Sequence, residues 1–411
     1  MRQEKSEVII IGAGPSGAVA AGLLRRAGRA VTILEKQAFP RFVIGESLLP
    51  QSMEFIEAAG MLQDVVEAGF QFKNGAAFAC DTKYACFDFR EKISPGWGTT
   101  YQVQRGPFDK VLADAAARMG TDIRYRHEVI AVDLAGEKPV VTVRPEDGEM
   151  YELSGEFLLD ASGYGRVLPA LLDLEMPSEL PARQAIFTHI EDGIARNPEA
   201  AFDRNKILIS VHPVETDIWY WLIPFSNGRS SIGVVGRRGQ FDGRADMEQL
   251  RARVQEAPNL AELLKYAEWD MPARNIAGYS ANVKALWGRH FALLGNASEF
   301  LDPVFSSGVT IAFKSSDLAV KAILKQLAGE RVDWEREYAR PLKIGIETFR
   351  AFVNAWYDRR LQDIIFHSGK TEPVERMISA VLAGYAWDEN NPFVTKPDRR
   401  LASLEAACAP A

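Results

Sequence analysis

The apolar positions near the N-terminus alternate between short β-rich runs and a helical stretch. Residues 7–11 read EVIII, a continuous run typical of a strand buried on both faces of a parallel sheet. The next stretch predicts a helix that begins near Pro15 and ends at Gly28, because small and apolar residues recur along it. Residues 30–35, AVTILE, predict a second strand. This order of elements indicates a βαβ unit.

Further along, the pattern changes from alternating strands and helices to strands alone. Residues 107–119 have a helical pattern, residues 122–147 predict short strands, and residues 156–160 predict another buried strand. From about 183 to 236, several alternating runs follow one another without a long helix. They predict an antiparallel sheet inserted into, or packed on, the α/β part.

The last third of the chain returns to a helical pattern. Residues 290–294 predict a strand that runs into a glycine turn, and residues 308–328 predict a helix. Residues 333–411 have a mostly helical pattern with a loop-rich, exposed end.

One apolar segment, residues 218–224, reads IWYWLIP and carries two tryptophans separated by one residue. In a strand, Trp219 and Trp221 point to one face while Tyr220 points to the other. By pattern alone, such an aromatic stripe is most often sheet core. The alternative is a large apolar wall beside a binding chamber.

Composition narrows the class of protein. With 411 residues, 47% hydrophobic and 25% charged, we expect two or three domains with a substantial core. The net charge of −7 argues against nucleic acid as a partner. Three cysteines without zinc-like spacing argue against a metal site or a disulfide framework. We find no apolar run of about 20 residues and no signal-peptide core, so a cytoplasmic protein without a transmembrane segment is expected.

A glycine motif joins the first strand to the first helix. Gly12, Gly14 and Gly17 have the GxGxxG spacing that lets a turn be tight and lets a pyrophosphate approach the backbone at the helix N-terminus. Glu35 ends the next strand, where a carboxylate can accept both ribose hydroxyls. The alternative is a structural turn, which this context disfavours. The residues predicted to bind the dinucleotide here are Gly12, Gly14, Ser16, Gly17, Glu35 and Lys36.

Four further segments occur in order along the chain: PRFVIGESLLP (40–50), QVQRGPFDKVL (102–112), LLDASGYG (158–165) and LLGNASEFLDPVFSSGV (293–309). Together they resemble the FAD-dependent enzymes of the aromatic-hydroxylase superfamily and, within it, the flavin-dependent halogenases. The likeness spans most of the first 320 residues. It implies an α/β fold class, with a Rossmann-like FAD-binding domain, an antiparallel-sheet substrate domain and a helical C-terminal region.

The predicted domains are discontinuous. The FAD-binding domain is expected at 1–70, 101–175 and 285–330, the substrate domain at 71–100 and 176–284, and the C-terminal helical region at 331–411.

The resemblance also implies contacts to FAD beyond the glycine motif. The residues are Arg41, Glu46, Ser47, Arg105, Asp160, Gly163, Asn296, Asp302 and Pro303. Asp302 is expected to approach the flavin chain, with Pro303 beneath the isoalloxazine ring. Asn296 departs from the superfamily, which usually has aspartate there. An amide accepts a ribityl hydroxyl without bringing a charge, so FAD is expected to bind more loosely.

Three features resemble the halogenases in particular. Trp219 and Trp221 fit the motif WxWxIP, which favours the wall interpretation over plain core. Lys73, in FKNGA, precedes the predicted turn Asn74-Gly75, where a lysine is usually solvated surface. The resemblance instead makes Lys73 the candidate catalytic amine, which captures hypohalous acid as an ammonium or as a haloamine. The covalent route needs a pKa lowered by burial, with Phe72 and Phe78 as the candidate apolar neighbours.

The third halogenase feature is Ser306-Ser307-Gly308 at the start of a helix. The N–H groups of Ser307 and Gly308 can hold chloride or bromide, and a plain helix cap is the alternative. Phe305 stands where tryptophan halogenases have a glutamate that helps remove the ring proton. The resemblance therefore favours an electron-rich phenol or pyrrole, either free or tethered to an acyl or peptidyl carrier protein. The five histidines have no ligand-like spacing and are interpreted as structural.

The implied reaction begins with FAD reduced by a separate flavin reductase, since no second dinucleotide fingerprint is found. Oxygen would give a flavin hydroperoxide, halide would attack it, and Lys73 would guide hypohalous acid to the aromatic carbon. Three alternatives remain open: a flavin monooxygenase, an oxidoreductase similar to geranylgeranyl reductases, and a non-catalytic flavoprotein partner.

Overall fold

The computed structural model describes residues 2–199, 201–241 and 246–408. The predicted domain bounds at residues 1 and 411 lie outside these ranges. The strands, in chain order, are β1 (Arg2–Lys5), β2 (Val8–Ile11), β3 (Val31–Glu35), β4 (Gln71–Lys73), β5 (Gly75–Cys80), β6 (Lys83–Asp88), β7 (Thr100–Gln102), β8 (Asp122–Tyr125), β9 (His127–Asp133), β10 (Val140–Pro145), β11 (Tyr151–Ser154), β12 (Phe157–Asp160), β13 (Glu175–Pro177), β14 (Arg183–Glu191), β15 (Lys206–Val211), β16 (Trp219–Pro224), β17 (Arg229–Arg237), β18 (Arg274–Ala277), β19 (Ala281–Val283), β20 (Trp287–Gly288) and β21 (Phe291–Leu293).

The helices, in chain order, are α1 (Pro15–Arg26), α2 (Ser52–Ala58), α3 (Leu62–Glu67), α4 (Arg105–Arg118), α5 (Val167–Leu171), α6 (Met247–Gln255), α7 (Pro258–Leu263), α8 (Ser307–Leu327), α9 (Arg340–Tyr357), α10 (Arg360–Phe366), α11 (Glu372–Leu382), α12 (Pro392–Thr395) and α13 (Pro397–Cys408). A π-helical segment, Glu335–Ala339, leads into α9.

The predicted βαβ unit is confirmed and forms the centre of a six-stranded sheet in the order β20-β21-β12-β2-β3-β8. β2 pairs in parallel with β3 and with β12, and all four of its residues are buried. The β-branched side chains of β2 suit a strand covered on both faces. The parallel strands therefore end at one edge of the sheet, the edge where α/β proteins bind their ligands.

A second sheet has seven strands in the order β18-β14-β17-β16-β15-β5-β6. It is the sheet predicted from residues 183–236, and most of its pairs are antiparallel. One pair in this sheet, β15 with β5, is parallel, and β5 comes from outside the stretch that predicted the sheet. These two strands are separated by a long stretch of chain, so no hairpin fixes their relative direction.

The strand β16 confirms the predicted alternation of IWYWLIP. Trp219 and Trp221 pack into one apolar cluster, whereas Tyr220 packs into another on the opposite face of the sheet. All six residues of β16 are buried.

The C-terminal region is helical, as predicted, but up to residue 408 its end is not the loop-rich segment that was expected. The last described element is α13, which begins at Pro397 and buries Leu401 completely. Proline suits the first helical turn, and Leu404 packs against the same core as Leu401, so one narrow apolar stripe holds a helix whose other residues are mostly exposed.

The predicted division into domains stays a prediction. Within the described ranges, no helix combines the length and apolar content that a membrane span requires. In the same part of the chain, no cluster of three or more histidine, cysteine or acidic side chains has the arrangement of a metal site.

Candidate active site

A cavity of about 990 Å³ lies between the carboxyl edge of the parallel sheet and the tryptophan face of the seven-stranded sheet. On the first side it is lined by Gly12, which follows β2, and by Glu35, which ends β3. On the second side it is lined by Trp219 and Trp221. Its volume is at the upper end of the usual range for ligand sites, roughly 300–1,000 Å³.

The geometry of the glycine turn explains its sequence. Gly12 has φ of +97°, and a Cβ there would lie 2.7 Å from the carbonyl oxygen of Ala161. A Cβ on Gly17 would lie 2.0 Å from the carbonyl oxygen of Gly12, so α1 can approach β2 only without a side chain. The first-turn N–H groups of α1 have no acceptor inside the helix. The turn therefore fits a diphosphate, which those N–H groups can bind.

Glu35 is held in place beside this turn. Its Oε2 accepts the N–H of Ala13 and its Oε1 accepts the N–H of Gln37, both at 2.9 Å. The carboxylate lines the cavity about where an adenosine ribose would follow the diphosphate. This side of the cavity therefore fits the adenosine half of FAD.

Two arginines supply positive charge to the same wall. Arg105 donates to both carboxylate oxygens of Asp109, at 2.7 and 3.1 Å, and to the carbonyl oxygen of Ile44 at 2.8 Å. Arg41 Nη1 lies 3.7 Å from the same carboxylate. The shared carboxylate fixes both guanidinium groups, which favours an anionic ligand in this part of the cavity.

Most of the sequence-predicted residues meet on the cavity wall. They are Gly12, Gly14, Ser16, Glu35, Lys36, Arg41, Glu46, Ser47, Arg105, Gly163, Trp219, Trp221, Asn296, Pro303 and Gly308. The others lie behind that wall, and they are Gly17, Lys73, Asp160, Asp302 and Ser307.

Asp160 organises the turn that borders the cavity. Its Oδ1 accepts the N–H of Ser162 at 2.9 Å, and its Oδ2 accepts the N–H of Leu168 at 2.7 Å. Burial raises the pKa of this carboxyl group. Both carboxylate oxygens are occupied by these backbone hydrogen bonds. Asp160 therefore stabilises the turn around Gly163 without lining the cavity itself.

Lys73 is completely buried, so the local pattern, which is typical of a solvated surface lysine, does not describe it. Its Nζ donates to Ser47 Oγ and to the carbonyl oxygen of Leu48, both at 2.7 Å. It also lies 5.4 Å from the centre of the Phe89 ring. Burial lowers the pKa of Lys73 to about 7. Because Ser47 lines the cavity, the amine lies one side chain behind its wall.

Two details predicted around Lys73 are wrong. The predicted turn at Asn74-Gly75 does not form, because Asn74 only separates β4, which pairs with β7, from β5, which Gly75 begins in another sheet. Phe72 points to solvent, with 42% of its surface exposed. The aromatic neighbour is Phe89, whose N–H donates to the carbonyl oxygen of Asn74.

The two indoles have separate hydrogen-bond partners. Trp221 Nε1 donates to Ser231 Oγ at 3.0 Å, and a Cβ on Gly233 would lie 2.2 Å from the Trp221 ring. Trp219 Nε1 donates to Tyr357 Oη at 2.9 Å. The ring of Trp221 therefore rests against the adjacent strand, whereas Trp219 is tied to the end of α9.

The predicted halide turn precedes α8. Ser306 has φ of 55°, in the left-handed region, and Ser307 begins the helix. Asp302 Oδ1 accepts the N–H of Val304 at 3.0 Å and so caps the short turn before Ser306. Phe305 is buried against the rings of Phe352 and Trp356. The first-turn N–H groups of α8 are free of intrahelical acceptors, as an anion site requires.

Asp302 differs from its expected placement. Its carboxylate does not line the cavity but accepts the hydroxyl of Tyr357 at 2.9 Å and, more weakly, that of Tyr279 at 3.4 Å. Burial raises the pKa of Asp302 to about 6.

The sequence reasoning missed two side chains. Tyr357 bridges Trp219 and Asp302, and no local pattern marks it. His189, interpreted as structural, has its Nε2 2.6 Å from Glu46 Oε1 on the cavity wall. His189 lies among apolar residues on a strand, and this local pattern does not indicate a contact with Glu46, which is 143 residues away.

Comparison with known proteins also supports a chain that binds FAD. The FAD binding domain family matches residues 5–333. A flavin-dependent halogenase of Penicillium aethiopicum is 30% identical over 85% of this chain and 70% of its own length. The 1H-pyrrole-2-carbonyl-[peptidyl-carrier protein] chlorinase of Pseudomonas fluorescens is 27% identical over 92% of this chain and 88% of its own length. A solved structure, described as a flavoprotein/dehydrogenase from Cytophaga hutchinsonii, is 44% identical over 98% of this chain and 99% of its own, with a TM-score of 0.94.

Proposed function

The chain belongs to the FAD-binding flavoproteins and, within them, to the flavin-dependent halogenases, and we propose that it halogenates an electron-rich phenol or pyrrole with the help of Lys73. The flavin, reduced by a separate reductase and reacting with oxygen, would supply the oxidising power that turns chloride or bromide into an electrophilic halogen. The residues of this chain would bind, position and shield the reactants.

The observation that carries the proposal is the contact between Lys73 and the cavity wall. Lys73 Nζ donates to Ser47 Oγ at 2.7 Å, and Ser47 lines the cavity. A lysine pKa of about 7 leaves about half of the amine neutral near neutral pH. A neutral amine can be halogenated at nitrogen, and an ammonium can donate a hydrogen bond to hypohalous acid, so both proposed roles are open to it.

The walls of the cavity support separate tasks. Gly12, Glu35 and Arg105 would hold the diphosphate and ribose of FAD. Trp219 and Trp221 would exclude water and keep the oxidant away from other side chains. The N–H groups of Ser307 and Gly308 would bind the halide.

The substrate class is supported by what surrounds Phe305. The rings of Phe352 and Trp356 pack edge-on against it, so an apolar ring stands where tryptophan halogenases have a carboxylate. A ring that gives up its proton without a carboxylate base must be electron-rich. The pyrrole carried by a peptidyl carrier protein, on which the Pseudomonas fluorescens relative is named to act, has this property. We therefore propose a carrier-bound or free pyrrole or phenol.

The test is an incubation of the FAD-loaded protein with a flavin reductase, NADH, oxygen and either chloride or bromide. The substrates are phenols and pyrroles, each free and attached to a carrier protein, and the products are read by mass spectrometry. We expect halogenated products that disappear when the halide is omitted. Oxygenated products alone would contradict the proposal.

A second candidate function comes from the 44% identical flavoprotein/dehydrogenase. A dehydrogenase would transfer hydride without oxygen or halide. An anaerobic arm of the same incubation, with flavin reduction followed by absorbance, separates the two. Substrate-dependent bleaching of the flavin without NADH would favour the dehydrogenase.

A further inference from the structure

Three parts of the fold meet at one hydroxyl group. Tyr357, the last residue of α9, accepts the indole N–H of Trp219 at 2.9 Å and donates to Asp302 Oδ2 at 2.9 Å. Trp219 belongs to the cavity wall, and Asp302 caps the turn that leads to Ser307 and Gly308. A single hydroxyl group, accepting from one side and donating to the other, therefore links the wall to the predicted halide turn.

We propose that Tyr357 is a positioning residue that joins Trp219 to the Asp302 turn and thereby sets how tightly halide binds at Ser307 and Gly308. This inference rests on the proposed function, since it assigns a control element to the same site. Asp302 caps the short turn that leads directly into Ser307, so a negative charge on it opposes a halide there, whereas a protonated Asp302 does not.

The surroundings of Asp302 make its charge sensitive to Tyr357. The groups that face its carboxylate are the hydroxyls of Tyr357 and Tyr279, the N–H of Val304, the guanidinium of Arg183 and the phenol of Tyr164. Burial raises the pKa of Asp302 to about 6, and the hydrogen bonds lower it. Burial also raises the pKa of Tyr357 well above its usual value, so its hydroxyl remains a donor near neutral pH.

The ring of Tyr357 has its own support, which allows the hydroxyl to be tested alone. Arg183 Cζ lies 3.3 Å from the centre of this ring and is fixed by Asp217 Oδ1 at 2.8 Å. Tyr357→Phe keeps the ring and removes both hydrogen bonds. Tyr220→Phe is the matched control, because its hydroxyl donates to the carbonyl oxygen of Arg253 on the opposite face of β16.

The experiment titrates bromide into the oxidised FAD holoenzyme between pH 5 and 8 and follows the flavin absorbance. In the wild type, we expect bromide affinity to fall about tenfold as pH rises through about 6, because Asp302 becomes charged. In Tyr357→Phe, the ionised carboxylate loses a donor, so the midpoint should move up by about one pH unit. In Tyr220→Phe it should not move.

A second variant keeps the test decisive if Tyr357→Phe loses FAD. Trp219→Phe removes the indole N–H but leaves the hydroxyl on Asp302, so we expect a smaller upward shift of the midpoint. Unchanged midpoints in the Tyr357 and Trp219 variants would overturn the inference and leave the proposed function standing. If the wild type neither binds bromide nor halogenates, the proposed function fails and the inference fails with it.

Discussion

The flavin side and the lysine side of the candidate site are built in opposite ways. On the flavin side, loops and strand ends such as Gly12 and Glu35 surround a cavity of about 990 Å³. On the other side of the wall, Lys73 has no exposed surface and is enclosed by Ser47, Leu48 and Phe89. One region has room for a large ligand, and the other is packed around one amine.

The difference follows from what each side must do. A dinucleotide needs space and backbone donors, which glycine turns provide at low steric cost. A lysine proposed to react as a neutral amine needs the reverse, and for Lys73 it is removal from water that lowers the pKa to about 7. Substitutions on the packed side should therefore change the halogenation step, and substitutions on the open side should change FAD binding.

The largest expected effect comes from Lys73→Met. Methionine fills the space with an apolar chain but cannot capture hypohalous acid, so we expect halogenation to fall by about 10³-fold or more. FAD affinity should stay unchanged, because Lys73 lies behind the cavity wall. Product formation and FAD titration measure the two quantities separately.

Lys92→Met is the matched control for that loss. Lys92 is also buried, its pKa is also lowered by burial, and its Nζ donates to the carbonyl oxygens of Ser94 and Gly96. It has no contact with the cavity wall in the described part of the chain. Equal losses in both variants would mean that buried lysines matter here for folding alone.

A second prediction concerns the stability of the same Lys73→Met variant. The pKa of Lys73 falls from 10.5 to about 7 on folding, so the charged amine opposes folding. That penalty is complete below pH 7 and disappears as pH rises towards 10, with an upper bound of roughly 5 kcal/mol. Lys73→Met removes this penalty and so stabilises the folded protein. The loss of the two hydrogen bonds of Lys73 offsets roughly 1–3 kcal/mol of that gain.

We therefore expect Lys73→Met to unfold at a higher temperature than the wild type below pH 7. The difference in melting temperature should be constant there and shrink between pH 7 and 10. Thermal unfolding followed by circular dichroism across this range measures it. A difference in melting temperature that does not depend on pH would contradict the prediction that the charged form of Lys73 destabilises the folded protein.

The difference between the open side and the packed side also explains which features could be predicted from the sequence. The open side depends on local order, since Gly12, Gly17 and Glu35 are linked by one strand, one helix and the next strand. The faces of Trp219 and Trp221 followed from the period of a strand alone. Features of this kind are encoded within about 25 residues.

The packed side depends on contacts between segments that are distant in sequence, so the local sequence pattern did not predict that Lys73 is buried. A lysine before Asn-Gly has the local pattern of an exposed turn, but β4 pairs with β7 and the amine is enclosed by Ser47, Leu48 and Phe89, all distant in sequence or in other elements. Tyr357 meets Trp219 across 138 residues, and no periodicity connects them. The resemblance to halogenases made Lys73 a candidate, but it supplied no partner for its amine.

The smallest predicted effect belongs to the open side and concerns Asn296. Asn296 lines the cavity, and its backbone carbonyl is held by Arg166, so Asn296→Asp changes the side chain without moving the chain. A charged acceptor binds a ribityl hydroxyl more strongly than an amide by about 1 kcal/mol, so FAD affinity should rise about fivefold. Asn275→Asp, which adds the same charge elsewhere on the cavity wall, should not raise the affinity for FAD.

The halogenation rate of Asn296→Asp at saturating FAD should equal that of the wild type, because Lys73 is unchanged. If FAD binds more weakly to Asn296→Asp, the side chain does not face the ribityl chain, and the open side is arranged differently around its ligand.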